Sequence, residues 1–189
     1  MLAPGSYGLI PVTEVTPTLL GNFRCGKHHL DQFLSGTATS YHQSRLGLTT
    51  VVVHPDFSGI VGYFTLSNDA VPLSDPEQFD LGLDDIVTLQ AFPAVKIGRL
   101  AVAESLHGSG VSDAVMGLIV DQVRSEDSMS ASRMLVTDAD NVSKVIRYYT
   151  RNGFLPSKWA QDQHNKHTKK NTARTTVKML RDILVPLES

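Results

Sequence analysis

The chain has 189 residues, of which 41% are hydrophobic, and a formal net charge of −2. This length suits one well-packed domain, 1–189, better than two. Its single cysteine, Cys25, excludes a disulfide framework and a cluster of thiolate metal ligands. No run approaches the roughly 20 apolar residues of a membrane helix, and residues 1–20 lack a secretory signal. We therefore expect a cytoplasmic protein that does not contact the membrane.

The small net charge hides a strong asymmetry along the chain. Residues 1–143 contain 7 Lys and Arg against 16 Asp and Glu, whereas residues 144–181 contain 10 Lys and Arg against one acid, Asp162. Such a concentration of positive charge indicates an anionic partner, although a solvated basic edge has the same composition.

The first half of the chain predicts a helix followed by two strands. One helical face carries Leu30, Phe33, Leu34, Ala38 and Tyr41. β-Branched residues at 49–54 and an apolar run at 59–67 predict an antiparallel pair. The acidic segment 69–85 lacks strong periodicity and is interpreted as including a surface loop.

The second half predicts strands and amphipathic helices in alternation. A central strand is expected at 95–103, a helix from Val111, and a short buried strand at 134–137. A second helix contains Tyr149 and ends at Asn152-Gly153, and the last strand covers 175–180. No internal repeat or domain linker is evident.

The loop between the central strand and the helix at Val111 has the features of a phosphate site. Gly108 and Gly110 allow the backbone to approach an anion, and a helix start presents unpaired N–H groups. An ordinary turn before a helix gives the same pattern. A P-loop is excluded because Val111 follows Gly110 where lysine is required, and a Rossmann fingerprint is excluded because Asp113 replaces its third glycine.

Two segments resemble motifs of the GNAT acetyltransferase superfamily. Leu100-Ala101-Val102 followed by His107-Gly108-Ser109-Gly110-Val111-Ser112 is similar to its acetyl-CoA motif, and Arg147-Tyr148-Tyr149-Thr150-Arg151-Asn152-Gly153-Phe154 is similar to its "F-Y-x-x-x-G-F" helix end. Segments 23–34, 62–67 and 98–102 also resemble the GNAT toxins of bacterial toxin–antitoxin pairs. The sequence departs from the motif at His107, where Arg or Gln is usual, and at Ser112, where Gly or Ala is usual.

The resemblance implies an α/β fold with one GNAT-type domain, in which a mixed, mostly antiparallel sheet is flanked by helices on both faces. It implies transfer of an acetyl group from acetyl-CoA to the amino group of aminoacyl-tRNA, which blocks translation. A DNA-binding antitoxin is then a possible partner, and a homodimer is possible. Two alternatives stay open: acetylation of a protein or small-molecule amine, and a non-catalytic module that binds CoA or nucleic acid.

The resemblance also assigns roles to residues. The cofactor-binding candidates are Leu100, Ala101, Val102, His107, Gly108, Ser109, Gly110, Val111, Ser112 and Asn141. Asn141 has an alternative and favoured interpretation as a helix cap. Tyr149 is the candidate general acid, since a phenol is protonated at neutral pH, although it could be only a core aromatic. No general base is evident among Glu104, Asp138 and Asp140.

The basic run and the histidines complete the candidates. Lys166, Lys169, Lys170 and Arg174 are expected to contact RNA phosphates. Among the histidines, no set offers three metal ligands at convincing spacing, so no metal site is predicted.

Overall fold

The computed structural model describes residues 2–3, 5–83, 85, 89–125, 131–167 and 174–186. Within these ranges, seven strands form one sheet in the order β1–β2–β3–β4–β5–β7–β6. The strands are β1 Gly8–Pro11, β2 Leu48–His54, β3 Phe57–Val71, β4 Phe92–Val102, β5 Met134–Asp140, β6 Leu155–Pro156 and β7 Thr176–Asp182. The helices in the same ranges are α1 Pro17–Asn22, α2 His28–Gly36, α3 Ala38–Gln43, α4 Asp75–Asp80, α5 Val111–Arg124, α6 Ser143–Arg151 and α7 Lys158–His167.

The sheet is mixed. Strands β4 and β5 run parallel, whereas β1–β2, β2–β3, β5–β7 and β6–β7 are antiparallel. The predicted α/β class, with a mostly antiparallel sheet and flanking helices, is thus confirmed. Packing divides the chain into two compact units, the first made of residues 1–67 and 97–121 and the second of residues 68–96 and 122–189. Strands β3 and β4 and helix α5 contribute residues to both.

The first unit has an aromatic core. The ring of Tyr63 lies 5.6 Å from Phe23 in an edge-to-face arrangement and 6.3 Å from Phe33 in a stacked one. The Tyr63 hydroxyl donates a hydrogen bond of 2.9 Å to the Leu30 carbonyl, so its polar atom is satisfied although the side chain is fully buried. These contacts fix α2 against β3.

The prediction of one helix through Leu30 and Tyr41 is wrong at its centre. Helix α2 ends at Gly36 and α3 begins at Ala38, and Thr37 between them has φ −124° and serves as a cap for both. Glycine and β-branched threonine are both weak helix formers, which makes this the favoured place for a break. Leu34 and Ala38 are nevertheless both buried in the same core, so the spacing of the apolar residues was informative about burial.

The acidic segment 69–85 contains regular structure that the sequence analysis did not predict. Strand β3 continues to Val71, and α4 follows. The Ser74 backbone N–H and hydroxyl donate to the Glu77 carboxylate at 2.8 and 2.7 Å, which forms a capping box. The same carboxylate accepts the backbone N–H groups of Lys158 and Trp159 at the start of α7. Glu77 therefore caps two helices of the second unit, whose apolar core is formed by Val71, Leu73, Leu83, Phe92, Ala94, Met134 and Val136.

Candidate active site

The loop at residues 107–110 of the first unit, called the glycine loop below, has the backbone geometry that a phosphate site requires. A single 3-10 turn at Glu104–Leu106 leads from β4 into the loop, and α5 begins at Val111. Gly108 and Gly110 have φ +80° and +84°, in the left-handed region that disfavours side chains. A Cβ built on either glycine meets no heavy atom within 4 Å, so the space beside both is open. A cavity of about 480 Å³ lies along Ser109, Gly110 and the first turns of α5.

Side chains in this loop are bonded to the protein itself. The Ser109 hydroxyl donates to the Leu106 carbonyl at 2.7 Å, and the His107 Nε2 atom lies 3.1 Å from the Val102 carbonyl oxygen. Because a carbonyl only accepts, Nε2 must carry the proton. His107 thus holds the loop to β4, and Ser109 holds it to the 3-10 turn. The start of a helix such as α5 presents backbone N–H groups and a partial positive charge, which suit an anion.

Strand β4 presents part of its backbone away from β3. The Ala103 N–H donates to the Val61 carbonyl, and the Ala101 carbonyl oxygen would be 2.5 Å from a Cβ placed on Gly62. Along a β-strand the backbone polar groups of successive residues face opposite sides, so those of Leu100 and Val102 are directed away from β3. In the described part of the chain, the ladder between β4 and β5 contains only the pairs from Ala94↔Met134 to Lys96↔Val136.

Tyr149 lies in the second unit and is nearly buried, with 8% of its surface exposed. Its ring packs edge-to-face against Tyr148 and Phe154, at 5.2 and 5.3 Å. Burial raises the pKa of its hydroxyl, and a hydrogen bond with the side chain of Thr137 lowers it in part. The net rise keeps the phenol protonated at neutral pH. The position of Tyr149 fits both a core aromatic and a proton donor.

Asp138 is held as a carboxylate in an ion-pair network. It accepts a hydrogen bond of 2.6 Å from Lys96 and lies 3.7 Å from Lys178, which is 4.0 Å from Asp69. Burial by itself would raise the pKa of Asp138, but the Lys96 hydrogen bond and the two lysine charges lower it below its ordinary value. A carboxylate with a lowered pKa is a weak proton acceptor. This argues against Asp138 as a general base.

Asn141 does not cap α6, contrary to the favoured interpretation. The cap residue is Val142, while the Asn141 side-chain amide donates to the Arg174 carbonyl at 3.0 Å and its backbone N–H to the Thr175 carbonyl at 2.9 Å. Asn141 therefore ties the end of β5 to the segment before β7. Its role in cofactor binding stays a prediction.

The structure describes two of the four proposed RNA contacts. Lys166 is exposed on α7, and Arg174 donates to the carbonyls of Ala160 and Gln161 at 3.3 and 2.9 Å. Part of the Arg174 guanidinium is thus used to hold α7. Lys169 and Lys170 lie outside the described residues.

Over the described ranges, no group of three or more His, Cys, Asp or Glu side chains is arranged to hold a metal ion. None of the helices in those ranges has the length and apolarity needed to span a bilayer.

No protein-family model matches the sequence, but several solved structures share its fold. AtaT complexed with acetyl-methionyl-tRNAfMet has a TM-score of 0.69 at 20% identity, over 90% of this chain and 92% of that one. AtaTR bound with acetyl-CoA has a TM-score of 0.66 at 18% identity, over 95% of both chains. A tyrosine-to-phenylalanine mutant of KacT has a TM-score of 0.60 at 19% identity, over 92% of this chain and 94% of that one.

This chain has the fold of the AtaT and KacT structures. The likeness spans at least 90% of the chain in each of these comparisons, so the fold implied by the two short motifs is confirmed. Thr137, the hydrogen-bond partner of Tyr149, is not among the site residues predicted from the sequence. No sequence signal identifies it, because it is one of several apolar or β-branched residues in a buried strand.

Proposed function

We propose that this chain is an acetyl-CoA-dependent N-acetyltransferase that modifies the amino group of aminoacyl-tRNA in the cytoplasm and so blocks translation. One observation carries the proposal. Three features follow one another along the chain: an edge of β4 directed away from β3, a loop with two left-handed glycines, and the start of α5. The structures of AtaT with acetyl-methionyl-tRNAfMet and of AtaTR with acetyl-CoA support the choice of substrate and cofactor.

The residues of the first unit fit acetyl-CoA. Its pyrophosphate suits the backbone N–H groups of Gly110, Val111 and Ser112, because the glycine loop leaves open space in front of a helix start. Its extended pantetheine arm, which carries two amides, suits the backbone of Leu100 and Val102. When bound, acetyl-CoA supplies the acetyl group as a thioester whose sulfur leaves as a thiolate.

Three further requirements of acetyl transfer are stabilisation of the carbonyl oxygen, a proton for the leaving thiolate, and an uncharged amine. The backbone N–H of Val102 is directed away from β3 and would donate to the carbonyl of the acetyl group. Tyr149 holds a proton at its hydroxyl oxygen, because burial raises its pKa, and acts as general acid. The amine of an aminoacyl ester has a lower pKa than a lysine amine, so a free, nucleophilic fraction is present at neutral pH without a dedicated base.

Positive charge in the second unit suits an RNA substrate. Lys144, Arg147 and Arg151 are exposed on α6, and Lys166 is exposed on α7. Such cations bind phosphates without regard to sequence. A protein or small-molecule amine has no phosphate backbone for these cations to bind. We also propose that a DNA-binding antitoxin partners this chain, as in the AtaT–AtaR complex bound to DNA.

The decisive test is incubation of the protein with acetyl-CoA and charged tRNA, followed by mass spectrometry of the tRNA-linked amino acids. We expect an added acetyl group with the wild-type chain and a loss of at least 100-fold in turnover with Tyr149→Phe, in the range for a general acid. Tyr148→Phe is the matched control, because it removes a hydroxyl from the adjacent ring, and it should retain activity.

Calorimetry with a non-hydrolysable acetyl-CoA analogue separates binding from chemistry. Tyr149→Phe should keep the wild-type affinity, since the ring packing is preserved. Transfer to a protein or small amine but not to charged tRNA would support the alternative enzyme. Binding without any transfer would identify a non-catalytic module.

A further inference from the structure

Arg99 on β4 carries a guanidinium that is positioned by aromatic rings. Its Cζ atom lies 3.6 Å from the centroid of the Phe33 ring and 5.7 Å from that of Tyr41. Phe33 is buried in the core of the first unit, so the ring beneath the cation is fixed. Stacking of this kind holds the plane of the guanidinium and leaves the N–H groups on its edge available.

Arg99 differs in its partners from the other basic residues that are partly buried. Lys96, Arg133 and Lys178 form ion pairs with acids, while Arg174 and Arg181 donate to backbone carbonyls. Among the described residues, Arg99 has neither a hydrogen bond nor an ion pair. Its five donors are thus preorganised but unused, and planar, forked donors match an oxyanion such as phosphate.

The position of Arg99 relates it to the proposed acetyl transfer. It precedes Val102 on β4 by three residues, which corresponds to about 10 Å along a strand. Its side chain lies on the sheet face that packs against α2, together with Ala101. In an aminoacyl-tRNA the 5′ phosphate of the terminal nucleotide is one ribose away from the amino acid ester. A cation at this separation can therefore hold that phosphate while the amine lies near Val102.

We propose that Arg99 binds a phosphate near the 3′ end of the RNA acceptor and so positions the aminoacyl group. This inference rests on the proposed function, and it adds a positioning residue in the first unit, whereas the basic segment 144–181 belongs to the second unit. Arg99 contributes to binding of the RNA part of the substrate and does not take part in proton transfer.

The test compares two acceptors with the variant Arg99→Met. One is aminoacyl-tRNA and the other is a simple alkyl ester of the same amino acid, which has no phosphate. We expect KM for aminoacyl-tRNA to rise about tenfold or more, as for the loss of a charged hydrogen bond, with kinetics on the ester unchanged. The dependence of log KM on log salt should become shallower by about one.

Two further variants serve as controls. Arg124→Met removes an exposed arginine at the end of α5 and should leave KM for aminoacyl-tRNA unchanged. Arg99→Lys keeps the charge but loses the planar stacking, so KM should lie between the wild-type and Arg99→Met values. Calorimetry with the acetyl-CoA analogue reports whether each variant is folded, and its affinity should not change.

An unchanged KM for aminoacyl-tRNA in Arg99→Met, or an equal loss on the phosphate-free ester, would overturn the inference and leave the proposed function intact. If the wild-type chain transfers nothing to charged tRNA, the proposed function fails, and binding of uncharged tRNA measured by fluorescence anisotropy still decides the role of Arg99. Equal tRNA affinity of wild-type and Arg99→Met would then reject the phosphate contact. Weakened binding of an antitoxin peptide, with tRNA binding unaffected, would assign Arg99 to a carboxylate of the partner instead.

Discussion

The His107 ring donates from Nε2 to the Val102 carbonyl oxygen over 3.1 Å, and so joins the glycine loop to the strand proposed to hold the thioester. His107→Phe keeps an aromatic ring of similar size but removes the donor. We expect acetyl-CoA affinity to fall about three- to tenfold, the equivalent of one hydrogen bond, with little change in the unfolding transition. Calorimetry measures the affinity, and His28→Phe, at an exposed position at the start of α2, is the control. Unchanged affinity in His107→Phe would show that the loop keeps its conformation without this bond.

Thr137 is expected to set the pH range in which Tyr149 can act as an acid. Its hydrogen bond lowers the pKa of the Tyr149 hydroxyl against the larger, raising effect of burial. In Thr137→Val that pKa should rise further, so the alkaline limb of the pH–rate profile should move to higher pH. Turnover near neutral pH should fall, because a weaker acid donates its proton less readily. Thr137→Ser keeps a hydroxyl and should keep the wild-type profile. If the alkaline limb does not move in Thr137→Val, it does not report the ionisation of Tyr149.

Gly62 is required by the close approach of β3 and β4. A Cβ at this position would lie 2.5 Å from the Ala101 carbonyl oxygen, so Gly62→Ala must push the two strands apart. We expect a loss of about 1–3 kcal/mol in the free energy of unfolding, as for overpacking, together with weaker acetyl-CoA binding. Gly117→Ala is the matched control, because a Cβ inside α5 at that position meets no heavy atom and should raise stability by about 0.5–1 kcal/mol. Urea unfolding of both variants provides the comparison.

Cys25 should contribute to loss of stability at alkaline pH. Burial and, next, the side-chain hydrogen bond with Asp31 raise the pKa of its thiol from 9.0 to about 11. A group whose folded-state pKa is raised stabilises the fold fully below its unfolded pKa, and this contribution is lost as the pH rises through the folded value. The free energy of unfolding should therefore fall between about pH 9 and about pH 11. Cys25→Ala should show a shallower fall over this window, whatever its baseline stability. Parallel curves for the two proteins would contradict the assignment.

The parts of the fold that could be predicted from the sequence are those in which the local residue pattern is also the one that tertiary packing uses. Gly108 and Gly110 adopt the positive φ angles that a phosphate loop needs, and the apolar spacing after Val111 corresponds to α5. The spacing of Ser74 and Glu77 is a capping-box signal for α4, but the acidic composition of the surrounding segment favours a surface loop. Helix α7 has a local start signal in Ser157, whose hydroxyl accepts the Ala160 N–H over 3.1 Å. Its other cap is Glu77, which is distant in sequence and could not be predicted from the residues of the helix.

Side-chain contacts were the least predictable feature of the candidate site. The resemblance assigned His107 and Ser109 to the cofactor, whereas in the structure both side chains bond to backbone carbonyls of the first unit. The favoured interpretation of Asn141 as a helix cap is wrong, because its side chain and backbone N–H donate to the carbonyls of residues 174 and 175. Such choices depend on which carbonyl lies within reach after folding, and neither periodicity nor composition carries that information.

The short ladder between β4 and β5 links the stability of the fold to what covers this edge of the strand. At Leu100 and at the Val102 N–H, β4 directs backbone groups away from β3, and the described ladder with β5 does not extend to them. Exposed strand edges of this kind invite pairing with other chains. A cofactor lying along this edge would cover it and shift the equilibrium toward the folded state by mass action. The free energy of unfolding would then rise with the concentration of acetyl-CoA.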